Sequence, residues 1–104
     1  MKKEFIMRGK SDIDNLFEKG KYLSDGFVMI KFVDSDSKKF LFAVSSKKFK
    51  RAVDRNKIKR LMKEVVRNIE VSNKNIAIVY TGVGIPNLSD MTRSITNLLN
   101  KIWR

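Results

Sequence analysis

A single α+β domain, with helices packed on one sheet in the order α-β-β-α-β-α, is predicted by three features of the sequence. Segments with helical period alternate with apolar runs of strand length. No internal repeat, low-complexity tract or long linker divides the 104 residues, a length that suits one domain with a modest core. One apolar run, 76–80 (IAIVY), is unbroken, as expected of a strand buried on both faces.

The first element is a short helix over 11–19. Ser11 caps it, Asp12 and Asp14 fall in the first turn where the helix dipole favours negative charge, and Ile13, Leu16 and Phe17 stand at i, i+3 and i+4. Gly20 is placed to end it in a left-handed conformation. So short a helix needs packing to persist. The run 26–33 (GFVMIKFV) reads as a strand, with Val28, Ile30 and Phe32 on one face and Phe27, Met29, Lys31 and Val33 on the other. Asp34, Ser35, Asp36 and Ser37 are turn formers, and 40–45 is a second strand, so the two are predicted to form an antiparallel hairpin. Asp34 and Asp36 fit turn chemistry better than a metal pair.

The stretch 47–67 holds ten Lys or Arg in 21 residues, opposed only by Asp54 and Glu64, and so carries +8 of the chain's net +12. Its second half is amphipathic at 100° per residue. Ile58, Leu61, Met62, Val65, Val66 and Ile69 fall on one side, and Asn56, Lys59, Arg60, Lys63 and Arg67 on the other. Like charges at i, i+3 and i+4 repel by roughly a few tenths of a kcal/mol per pair, a penalty that an anionic partner removes. A Lys-rich helix face is commonly only solvated. This stripe, however, is unmixed, contains Arg and Asn, and holds most of the net charge. Guanidinium groups suit phosphate oxygens and stack on bases. The face therefore reads as a polyanion-binding surface, with nucleic acid the first candidate.

The remaining elements complete the sheet and its cover. Asn73 to Asn75 form an exit loop before the strand 76–80, and Gly82, Gly84 and Pro86 mark a loop without the GxxxxGK spacing of a phosphate cradle. A last helix, capped by Asn87 or Ser89, carries Met91, Ile95, Leu98, Leu99, Ile102 and Trp103 at a 3.6-residue period. Trp103 reads as a core or edge anchor rather than a base-stacking platform.

Composition excludes several chemistries. The chain has no His and no Cys, which removes the Ser/His and Cys/His constellations, thiolate metal sites, disulfides and the commonest zinc ligand. The start MKKEFIMRGK is basic but no apolar run follows it, and no stretch is long enough to span a bilayer; a soluble, cytoplasmic protein is expected.

With the residues laid out, the central stretch resembles the protein subunit of bacterial ribonuclease P. The resemblance is carried by S-K-K at 46–48 and A-V-D-R-N-K-I-K-R-L-M-K-E at 52–64, which is similar to the family's R-N-x-x-K-R signature. The segments L-F-E-K-G at 16–20 and G-F-V at 26–28, and the C-terminal strand, loop and helix, extend it over nearly the whole chain. It implies a central mixed sheet in which a parallel β-α-β unit crosses over with the unusual left hand, where the general rule is right-handed. The implied function is to assist a large catalytic RNA in Mg²⁺-dependent endonucleolytic removal of the 5′ leader from precursor tRNA. Chemistry and Mg²⁺ would belong mainly to the RNA, with no metal held by the polypeptide, which alone is expected to be non-catalytic. The implied partners are that RNA, one copy per chain, and the leader, with no membrane.

Position by position, the family's basic helix matches Arg55, Asn56, Lys57, Lys59, Arg60 and Lys63, with Lys47 and Lys48 just upstream. Lys50, Arg51 and Arg67 join them as expected RNA-binding residues. The family's leader cleft lies between the sheet and the first helix and is lined by aromatics. Phe17 matches one, while Ile13 and Ile30 stand at cleft positions where aromatics are common. Phe42, Lys50 and Arg51 replace what are often Gly, Gly and a polar residue, adding bulk near the second strand and charge ahead of the helix. Readings from other classes stand beside this one. A ribosomal or general RNA-packing protein explains the charge but not the linear motif. An autonomous nuclease would need Asp25, Asp34 and Asp36 gathered round a metal. A membrane-surface helix would need the apolar face that the core requires.

Overall fold

In a computed structural model of the chain, residues 10–35, 38–67, 69 and 74–102 are described. The elements are α1 (Lys10–Lys19), β1 (Lys21–Ser24), β2 (Val28–Asp34), β3 (Lys39–Val44), α2 (Ala52–Arg67), β4 (Lys74–Tyr80) and α3 (Leu88–Ile102). The expected α-β-β-α-β-α order is present with one strand added, β1. That strand is four residues long and ends at the Ser24, Asp25, Gly26 turn, so it offered too short an apolar pattern to read as a strand. Asp36, Ser37, Asn73 and Trp103, given roles above, lie outside the described residues.

The predicted hairpin is corrected by the sheet order, β1-β2-β4-β3. β2 and β3 run in opposite directions, as expected, yet β4 lies between them, antiparallel to β2 and parallel to β3. The reason is in β4 itself. Ile76, Ala77 and Ile78 are all fully buried, and a strand apolar on both faces is most stable in the sheet centre with a neighbour on each side. A hairpin of β2 with β3 would leave it at an edge.

Alternation divides the sheet into two faces. Val28, Ile30, Phe40, Phe42, Ile76, Ile78 and Tyr80 point to the face covered by α2 and α3, where they join Ile58, Met62, Val65, Val66, Met91, Ile95, Leu98 and Leu99 in the main core. On the other face α1 lies over β2 and β4, burying Leu16 against Ala77 with Ile13, Val33 and Leu41 around them. Among the described residues α1 is the one helix packed on that face.

Local signals place these elements. Asn87 is the cap of α3, its Oδ1 accepting from the Asp90 N–H at 2.8 Å. Gly20 ends α1 without a left-handed residue, since positive φ is found only at Gly26 and Gly84 among the described residues. It is needed for closeness instead: a Cβ there would stand 2.3 Å from the Leu16 carbonyl oxygen and 3.1 Å from that of Phe32. The β1–β2 turn is closed by Asp25, whose carboxylate accepts from the N–H groups of Phe27 and Val28 at 2.9 Å each and from the Ser94 hydroxyl on α3. Burial raises the pKa of this carboxyl, but the hydrogen bonds outweigh it and hold the group below the usual carboxylate value. Among the described residues no helix is long and apolar enough to cross a membrane.

Candidate nucleic-acid interface

The cationic surface begins in the loop ahead of α2, which the fold pins at several points. Phe49 is buried, its ring centroid 5.8 Å from that of Tyr80, and its N–H bonds the Ser45 carbonyl at 3.0 Å. The Lys48 ammonium donates to the Thr81 carbonyl at 2.8 Å. Arg55 Nη1 donates to the carbonyls of Phe49 at 2.7 Å and Lys50 at 3.0 Å. Lys48 and Arg55 were expected to contact RNA. The structure uses the Lys48 ammonium and one guanidinium nitrogen of Arg55 to hold the loop, which presents the exposed side chains of Lys47, Lys50 and Arg51.

Along α2, Ile58, Met62, Val65 and Val66 are buried and anchor the helix. Opposite them Asn56, Lys57, Arg60 and Arg67 are exposed, and Lys59 and Lys63 are half-buried on the flank, an arrangement in which lysine stems cover apolar surface while their heads stay in water. The stripe thus stands outside the core along the whole helix. Arg67 pairs with Glu64 at 3.2 Å, which partly offsets its charge. Leu61, placed in the core by its period, is only half-buried, and Val53 is exposed. With Lys57 and Arg60 these two line a shallow surface groove.

A second candidate surface lies on the open sheet face beside α1. Phe17 is 42% exposed, and the Lys31 ammonium sits 4.9 Å from its ring centroid while donating to its carbonyl at 3.2 Å. One cation thus satisfies a C-terminal helix carbonyl and an aromatic face together. Ile13 packs half-buried in the α1 cluster. Ile30 does not join this surface: it is fully buried on the opposite face, in the main core. Strand parity explains the exchange, because Lys31, one residue on, takes the position beside Phe17. Tyr22, which pairs directly with Lys31 across β1 and β2, was missed with its strand; the parity of Lys31 was already visible in the alternation of β2.

The carboxylates of the nuclease reading do not converge. Asp25 and Asp34 flank β2 at opposite ends, about 20 Å apart at the usual rise per residue, and Asp34 is bonded to Lys74. Hydrogen bonding from Lys74 and its charge hold the Asp34 carboxyl below the usual value.

Comparison with known proteins agrees with this fold. The sequence model of the ribonuclease P family matches residues 1–103. No curated protein matches the chain. The fold is shared with the Staphylococcus aureus RNase P protein at a TM-score of 0.82, with 20% identity and 94% of each chain covered. It is shared also with the Thermotoga maritima RNase P protein at 0.81, with 21% identity over 92% of this chain and 96% of that one.

Proposed function

Because the chain belongs to the ribonuclease P protein family, whose role is tRNA 5′ maturation, we propose that it is the RNA-binding protein subunit of a ribonuclease P holoenzyme. The cationic face of α2 and the loop before it bind the catalytic RNA, and the open sheet face beside α1 receives the 5′ leader of precursor tRNA. The observation that carries the reading is the placement of Asn56, Lys57, Arg60 and Lys63 outside the core, in one stripe, on a helix whose other side is buried. Phosphates neutralise the stripe and relieve its internal repulsion. Arg60 supplies a planar fork for phosphate oxygens, and Asn56 a neutral donor and acceptor pair for a base edge or a 2′-hydroxyl.

The Phe17–Lys31 surface suits a single strand differently. A ring face accepts a base, and the ammonium beside it neutralises the neighbouring phosphate. The hydrolysis itself is assigned to the RNA and its Mg²⁺.

Reconstitution tests the proposal. Adding the chain to ribonuclease P RNA at low Mg²⁺ is expected to restore leader cleavage from precursor tRNA, one protein per RNA, while the chain alone cleaves nothing. Cleavage by the chain alone, or no gain on mixing, would overturn it.

A further inference from the structure

We infer that Tyr22 is a stacking platform for an unpaired nucleotide, extending the Phe17–Lys31 surface across the open sheet face to the edge strand β1. The inference rests on the leader-binding reading above and adds to it a residue that neither the signature nor the comparisons assign. Tyr22 is 65% exposed, the most exposed aromatic among the described residues. Its strand neighbour Leu23 turns inward and packs on the main core, so alternation sends Tyr22 to the opposite face. The register pairs Tyr22 with Lys31, and directly paired residues share a face with their Cβ atoms about 5 Å apart. The Lys31 ammonium in turn lies over Phe17.

Three elements, α1, β2 and β1, therefore bring a ring, a cation and a second ring to the same face of the sheet. The Lys31 ammonium lies over Phe17, Tyr22 is the cross-strand partner of Lys31, and both rings are exposed. That set of groups matches an unpaired strand, whose bases stack on successive aromatics while its phosphates meet the charge beside them. Lys31 gives one N–H to the Phe17 carbonyl, and an ammonium has three to give. The occupant is single-stranded RNA rather than duplex, because an aromatic platform needs a base out of its helix. Ile13 and Ile30 bring no ring to this face, and Tyr22 supplies the second one.

The test is precursor tRNA binding to the reconstituted holoenzyme, with substrates carrying a long 5′ leader or one trimmed to a stub. Tyr22→Ala is expected to weaken binding of the long-leader substrate by about five-fold or more, the lower end for one base–aromatic stack, and to leave the stub substrate unchanged. Tyr22→Phe keeps the ring and is expected to bind both as wild type does. If wild type prefers the long leader and Tyr22→Ala prefers it equally, this inference falls and the leader reading stands. An equal loss on both substrates would also overturn it, by showing a structural role for the ring. If wild type itself binds both substrates alike, the leader reading falls and takes this inference with it.

Discussion

Charge reversal at Arg60 and Lys63 together (Arg60→Glu, Lys63→Glu) is expected to weaken binding to ribonuclease P RNA about a hundred-fold or more at low salt. A charge-assisted hydrogen bond contributes roughly 1.5–3 kcal/mol, and losing two amounts to about two decades of affinity; the introduced repulsion adds to that. Stability is expected to hold, because neither residue belongs to the buried side of α2 and breaking a run of like charges on a helix gains roughly a few tenths of a kcal/mol. Titration of the RNA with wild type and variant, beside urea unfolding of both, checks the two halves. Arg55 makes an instructive contrast. It belongs to the same linear motif, yet its guanidinium holds the carbonyls of Phe49 and Lys50, so its replacement is expected to act on RNA binding through the loop it positions.

Tyr80→Ala is expected to cost about 3–5 kcal/mol of stability, the range for emptying a large aromatic site in a core. Tyr80 is 1% exposed at the end of the central strand. It meets Phe27 edge-on with centroids 5.2 Å apart and Phe49 at 5.8 Å. Its hydroxyl donates to the Gly84 carbonyl at 2.9 Å, with that of Val83 at 3.3 Å, and burial raises its pKa above the usual tyrosine value. Since a domain of this kind has roughly 5–15 kcal/mol in total, the variant would be marginal in urea unfolding. Tyr80→Phe, which keeps the ring and loses only the hydroxyl, is expected to cost about 1 kcal/mol. The link to function is Phe49, which rests on Tyr80 and carries the cationic loop with it.

The helices were legible because their signals are local. The period of 58–69, the Asn87 cap and the apolar face of α3 each sit within a few turns of chain, and each is present in the fold. Strand adjacency was not. The unbroken apolar run of β4 pointed to burial on both faces, which a central place in the sheet satisfies, but the short DSDS turn between β2 and β3 argued for a hairpin, and burial of β4 outweighed it. The candidate interface shows the same division. Helical period put Asn56, Arg60 and Lys63 on one side, and there they stand. It also put Leu61 in the core, where the flank of α2 curves out to half-exposure. The roles of Lys48 and Arg55 as braces depend on carbonyls of Thr81, Phe49 and Lys50 that no spacing reveals. Ile30 was carried to the cleft by likeness to a family position, and strand parity gives that place to Lys31.

The salt dependence of binding between the intact chain and ribonuclease P RNA tests the central claim most directly, because contacts between cationic side chains and phosphates respond to counterion release. With about five phosphates neutralised, the logarithm of the association constant should fall against the logarithm of salt concentration with a slope of roughly −4. A slope near zero would contradict the account.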